Sequence, residues 1–192
     1  MYQNKIKNEK TWLEDLPEIV NRKFPPRLAN DVLKYWKPNE GKINDLCMSD
    51  SGVYFWGSIG IGKTVLASQI LIQRLKQYYL EYKPALAFFI NTTDLLEEIK
   101  NAYDNKEISE SEIMSKYKNT DLLLIDDIGS ENPSNWQISI MFNLINHRYE
   151  YLKYTLFTSN RSPEDLANVY KDDRITRRIN DMCHSVVEKT TI

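Results

Sequence analysis

The chain has 192 residues, 42% hydrophobic and 27% charged, the composition of one folded domain, which excludes a disordered, collagen-like or fibrous protein. Its 25 Lys and Arg against 27 Asp and Glu leave a net charge of −2, so it has no coat of positive charge for wrapping nucleic acid, and any such contact must be local or built by assembly. The longest uncharged stretch, Asn132 to Asn146, is too short and too polar for a membrane span, and the N-terminal MYQNKIKNEK lacks the apolar run of a secretory signal.

In chain order, residues 1–50 read as a lead-in and 51–192 as a core domain. Within the lead-in, Trp12, Leu13, Leu16, Ile19 and Val20 form a small apolar face, which suits either capping the chain's own core or docking a partner. Phe24, Pro25, Pro26 and Arg27 force an extended approach. Leu28, Val32, Leu33 and Trp36 then follow at helical spacing, and Pro38 with Gly41 closes that helix. Five mostly apolar runs predict strands: Val53 to Trp56, Leu86 to Ile90, Leu122 to Asp126, Thr155 to Ser159 and Ser185 to Glu188. Between the first two, Lys63 to Glu81 places Leu66, Ile70, Leu71, Leu75 and Tyr78 along one helical face. Thr93 and Asp94 precede a second helix, LLEEIKNAYDN, and Trp136 to Leu152 repeats the apolar spacing at Ile140, Leu144 and Ile145. Strands alternating with helices predict a three-layer α/β fold with a five-stranded parallel sheet. Cys47 and Cys183 are solitary and the only histidines are His147 and His184, so neither a disulfide framework nor a zinc site is indicated, and a cytoplasmic location is the expectation.

Gly57, Ser58, Ile59, Gly60, Ile61, Gly62, Lys63 and Thr64 match GxxxxGK[ST] between an apolar strand and an amphipathic helix, which is where a phosphate-binding loop must lie. Three of the chain's six glycines are in this octapeptide. Backbone N–H groups of such a loop converge on phosphate oxygens, and the helix start adds partial positive charge. Lys63 would hold the β- and γ-phosphates of a nucleoside triphosphate, and Thr64 would offer its hydroxyl to Mg²⁺. The plain alternative is a Gly-rich turn that only joins strand to helix.

The third strand ends in Asp126 and Asp127, at the edge where open α/β sheets bind ligands. Asp126 is the expected Mg²⁺ partner through water, and Asp127 the group that orients or deprotonates an attacking water. Asp is one methylene shorter than Glu, so a looser contact with the water and slow hydrolysis are expected. Asn160, closing the fourth strand, would reach the γ-phosphate or that water, or else serve as an ordinary turn residue. Downstream, Arg174, Arg177 and Arg178 stand beside Asp172 and Asp173. They fit either a phosphate-directed role in a neighbouring subunit or a solvated helix with local Arg–Asp pairs.

The order of the glycine-rich loop, LLLIDDIG, TSN and RITRRI, together with FPPRL, DLLEEIKNAY, NWQISIMFNLINHRYE and TSNRSPEDL, resembles the AAA+ ATPases of the DnaC/DnaI/IstB group over roughly Phe24 to Ile192. The resemblance implies a P-loop AAA+ core binding ATP and Mg²⁺, with Gly57 to Thr64 as Walker A, Asp126 and Asp127 as Walker B, and Asn160 as sensor 1. It implies an arginine finger at Arg178 reaching the next subunit's site, Arg174 as a supporting position and Arg177 as the competing assignment. FPPRL falls where such domains close over the adenine. Against the family pattern, the sequence reaches Ile192 directly after the fifth strand, so the helical lid with its sensor 2 arginine is expected to be absent or minimal, and only about 50 residues stand where helicase loaders carry a helicase-gripping domain.

The resemblance thus implies a DnaC-like loader that self-assembles with ATP, contacts single-stranded DNA weakly and helps place a replicative helicase hexamer, with no membrane partner. An IstB-like transposition helper shares every motif. A small-molecule P-loop kinase fits the size, but Asn160 and Arg178 speak against it. A binding-only module that changes shape with ATP is the remaining alternative.

Overall fold

Among the described residues five strands form, β1 (Gly52–Trp56), β2 (Ala87–Asn91), β3 (Leu122–Asp126), β4 (Tyr154–Ser159) and β5 (Cys183–Val187), and the central β1, β3 and β4 are buried over most of their length, as covering a parallel sheet on both faces requires. The structure is a computed structural model describing residues 2–36, 45–46, 49–104, 109–130 and 132–187. The helix stop expected at Pro38 and Gly41, the solitary Cys47, and Glu188 at the end of the last expected strand lie outside the described residues. All pairings are parallel, in the order β2-β3-β4-β1-β5. Side chains alternate across this sheet. Val53, Phe55, Leu122, Leu124 and Leu156 belong to one apolar cluster, and Tyr54, Leu123, Ile125 and Phe157 to the other.

The first face is covered by α1 (Tyr2–Lys23), α2 (Pro26–Lys34) and α3 (Lys63–Leu80). On the second lie α4 (Thr92–Asp104), α5 (Glu110–Asn119), α6 (Asn135–Glu150), α7 (Pro163–Tyr170) and α8 (Asp173–Met182). The result is the three-layer α/β arrangement that the strand-helix alternation implies. The lead-in is part of it. Trp12, Leu16 and Val20, four residues apart, are buried in the first cluster, while Leu13 stays 47% exposed. Most of the apolar face in the lead-in therefore caps the chain's own core, each buried side chain contributing about 1.5–3 kcal/mol. Lys76 Nζ meets Glu9 Oε1 at 2.5 Å and pins α1 to α3, and Phe24 packs edge-on against Phe89, 5.5 Å between ring centres.

Two helices, not one, join β2 to β3. The second, α5, starts with a capping box in which Ser109 Oγ accepts the Glu112 N–H and Glu112 Oε2 accepts the Ser109 N–H. The first helix begins at Thr92 rather than after Thr93 and Asp94, because Asn91 Oδ1 already accepts the Thr93 N–H at 2.9 Å. At the opposite end of the sheet from these strand tips, Arg148 of α6 is fully buried. Its guanidinium donates to Thr155 Oγ1 and to the carbonyls of Tyr117, Lys118, Thr120 and Tyr154, so α5, α6 and the starts of β3 and β4 share one polar clasp. Burial pulls this group down to about 9, against the opposing influence of Asp121, and it stays charged at neutral pH.

Candidate nucleotide site

Parallel strands bring all their C-terminal ends to one edge, and the cleft there has a volume of about 920 Å³. β1 delivers the chain into Gly57, and α3 begins at Lys63. Gly60 and Gly62 adopt φ of 83° and 89°, left-handed values that cost a residue with a Cβ but not glycine. At Gly60 a Cβ would meet nothing within 4 Å, so here it is the backbone path, not space, that requires glycine. No side chain caps the start of α3, which leaves its first N–H groups directed at the cleft for an anion.

Lys63 is only 8% exposed. Its Nζ donates to the carbonyls of Gly57 at 2.9 Å and Ser58 at 2.8 Å and to Asn160 Oδ1 at 2.9 Å. Burial lowers its pKa, and the nearby Asp127 and Asp126 work against that shift. Three neutral oxygens hold the ammonium without neutralising it, an arrangement suited to an incoming polyanion.

Strand parity sets the acidic side. Asn91 pairs with Asp126 in register, and Asp126 shares the α3 face with Leu122 and Leu124, so it meets the first turn of that helix. Thr64 Oγ1 donates to Asp126 Oδ1 at 2.7 Å, and Asn91 Nδ2 approaches Oδ2 at 3.5 Å. Asp127 follows with φ 56°, which turns it out of the strand, where its Oδ1 accepts from Asn160 Nδ2 at 3.1 Å. The Asn160 carboxamide therefore bridges Lys63 and Asp127. No group of three or more His, Cys, Asp or Glu arranged for a metal occurs among the described residues. A hard divalent cation would instead rest on the Thr64 hydroxyl and the Asp126 carboxylate, with water and phosphate oxygens completing its shell, which is the oxygen donor set Mg²⁺ prefers.

The structure thus gathers Lys63, Thr64, Asp126, Asp127 and Asn160 around one cleft, with Ile59 85% exposed at its lip. Pro25, Arg27, Leu28 and Asp31 from the FPPRL segment and the start of α2 line the same cleft. Sequence reasoning missed Asn91, Thr158 and Asp31 as lining residues; the period-two register of β2 and β4 with β3 would have brought out the first two. The arginines of α8 stand elsewhere, and none lines the cleft. Arg178 Nε donates to Asn146 Oδ1 at 3.1 Å and its guanidinium lies 4.4 Å from the Tyr149 ring centre. Arg174 binds Asp172 and covers Phe142, and Arg177 pairs with Asp173.

Residues 45–190 match the family described as IstB-like ATP binding protein. Among relatives, the Insertion sequence IS232 putative ATP-binding protein of Bacillus thuringiensis subsp. berliner is 33% identical over 202 residues, spanning 92% of this chain and 77% of its own length. The replicative helicase loader DnaI of Bacillus subtilis (strain 168) is 27% identical over 151 residues, 75% of this chain and 43% of DnaI, so the chain spans less than half of that relative. Among solved structures, the DnaC helicase loader superposes with a TM-score of 0.69 at 28% identity, covering 85% of this chain and 100% of that one.

Proposed function

We propose that this chain, which belongs to the IstB-like ATP-binding protein family, is a slowly hydrolysing ATPase that uses ATP to assemble and to place a replicative helicase on DNA. The observation that carries the reading is the convergence of Lys63, Thr64, Asp126, Asp127 and Asn160 on one cleft beside an uncapped helix start. Loop N–H groups and Lys63 bind the phosphates, and Thr64 with Asp126 would hold Mg²⁺. When bound, that ion supplies charge neutralisation on the phosphate oxygens. Asp127 orients the attacking water and accepts its proton, while the Asn160 carboxamide, already joined to both Asp127 and Lys63, holds the water against the terminal phosphate. A short carboxylate anchored by an amide gives a slow step, which suits a switch more than a motor. Arg178 lies outside its own cleft, and in this reading it completes the site of an adjacent copy.

The loader role draws on the similarity to the DnaC helicase loader and to DnaI. A second reading, a helper protein for transposition, is favoured by the 33% identity over nearly the whole chain with the IS232 protein. Mass-resolved light scattering separates them: the protein is mixed with replicative helicase hexamers, with and without a non-hydrolysable ATP analogue. A nucleotide-dependent complex supports the loader. Absence of any complex across helicases from several bacterial hosts moves the assignment to the transposition helper.

A further inference from the structure

One hydroxyl engages both residues of the acidic pair, at the Asp126 carboxylate and at the Asp127 backbone N–H. Thr158 is 1% exposed near the end of β4, on the same sheet face as Leu156 and Asp126. Its Oγ1 donates to Asp126 Oδ1 at 2.5 Å and accepts the Asp127 N–H at 2.9 Å, so the single proton and a lone pair of the hydroxyl are both engaged. The second bond falls on a residue that needs help. Asp127 has φ 56°, a left-handed conformation uncommon for residues with a Cβ, though Asp tolerates it better than most, and that turn is what aims its carboxylate at Asn160.

The surrounding bonds separate aim from fold. The Thr158 carbonyl accepts the Ile128 N–H at 2.9 Å, and Ser159 Oγ donates to the Ile128 carbonyl at 2.6 Å. Both keep the chain beyond β3 on its course without the Thr158 hydroxyl. Lys63 and the loop touch neither bond. Removing the hydroxyl therefore leaves the Asp127 N–H without this partner and Asp126 Oδ1 with Thr64 as its remaining hydroxyl donor, while the phosphate cradle is untouched.

We propose that Thr158 is the positioning residue of the acidic pair, fixing Asp126 toward Thr64 and locking the turn that aims Asp127 at Asn160. The consequence for turnover rests on the hydrolytic reading above; the geometry does not. The test uses Thr158→Val, nearly isosteric and equally suited to a strand, with Thr158→Ser as the variant that restores the hydroxyl. Amide exchange at Asp127 is followed by NMR in the nucleotide-free protein, ATP hydrolysis by phosphate release, and affinity with a fluorescent non-hydrolysable ATP analogue. In Thr158→Val, exchange at Asp127 accelerates by about tenfold or more, as expected when a hydrogen-bonded amide loses its acceptor. kcat falls by about 10- to 100-fold, the usual result of misplacing a reacting group by a fraction of an ångström to 1 Å, while affinity stays within about threefold because phosphate binding does not use this hydroxyl. Thr158→Ser restores both protection and kcat, which a purely structural role for the γ-methyl would not allow. Unchanged protection of the Asp127 amide in Thr158→Val overturns the proposal, as does unchanged kcat in a protein that turns over. If the wild type binds ATP but never releases phosphate, the hydrolytic reading falls alone and the exchange measurement still decides the role of Thr158. Should Thr158→Val fail to fold, Thr158→Ala carries the same comparison.

Discussion

Replacing Arg148 by Met removes the donors from five oxygens at the end of the sheet remote from the nucleotide cleft. Four of those oxygens are backbone carbonyls. At about 1 kcal/mol net per bond, the clasp contributes about 5 kcal/mol. Met relieves the cost of burying a charge, which offsets part of the loss, so with buried neutral acceptors costing about 1–3 kcal/mol each when left unpaired the expected net loss is about 3–5 kcal/mol. For a domain of this size about 2–4 °C accompanies each kcal/mol, giving a melting temperature lower by about 6–20 °C. Arg148→Lys, with three donors on a shorter reach, falls between the two. The assay is thermal unfolding by circular dichroism, paired with binding of a fluorescent ATP analogue at 20 °C. Affinity in Arg148→Met should stay within about threefold of wild type, because the clasp and the cleft lie at opposite strand ends and substitutions at well-separated sites act independently. A melting temperature within about 3 °C of wild type would refute the reasoning that these five contacts hold α5 and α6 to the sheet.

The remaining expectations concern the site and its surroundings. Lys63→Ala abolishes measurable ATP binding, since it removes the ammonium that the loop carbonyls and Asn160 hold at the cleft; isothermal titration with an ATP analogue checks it, and binding near wild-type strength would remove Lys63 from the phosphate role. The specific ATPase rate climbs with protein concentration and loses that dependence in Arg178→Ala while ATP binding survives; a rate already independent of concentration in the wild type would end the finger assignment. Asp127→Asn binds ATP and accumulates the assembled form, seen by light scattering, whereas an unaltered size distribution would indicate a module that never hydrolyses. His147 has its pKa lowered by burial first and by Lys118 and Arg148 next, with Nε2 buried and unbonded among the described residues. The neutral ring is therefore favoured in the fold, so its contribution is fully present above the unfolded value near 6.5 and is lost as pH falls through the lower folded value. His147→Phe, which keeps the stack on Tyr151, should flatten the decline of melting temperature between pH 7.5 and 5.5; parallel pH curves would contradict this.

What could be read in the sequence was whatever a short, ordered string must encode locally. The loop from Gly57 to Thr64 carries its own left-handed turns and its own helix start, and the strands announce themselves as short runs dominated by apolar and β-branched residues. Asp126, Asp127 and Asn160 were legible for a related reason, as polar residues placed where apolar strands stop. α5 was missed although Ser109 and Glu112 spell a capping box, because the spacing of Ile113, Met114 and Tyr117 is too short a run to show a period by itself.

Thr158, Asn91 and Arg148 could not be found in that way, since their roles depend on partners that include residues 28 to 35 positions distant in the chain. A threonine inside TLFTS has the β-branched side chain that any strand favours, and nothing local distinguishes one that only packs from one whose hydroxyl holds a carboxylate and the next residue's backbone N–H. The distinction appears only when register is known. Asn91 lies opposite Asp126 across β2 and β3, and Leu124 opposite Leu156 across β3 and β4. Counting two residues on from Leu124 and Leu156, on the same face, brings Asp126 beside Thr158. Strand order is the missing information, and once β4 is placed between β3 and β1 the hydroxyl, the acidic pair and the first turn of α3 must converge. A polar β-branched residue one position before the end of a central strand, beside a strand that ends in carboxylates, is therefore itself a signal of a supported catalytic edge, and it can be sought in sequence as soon as the pairing is assigned.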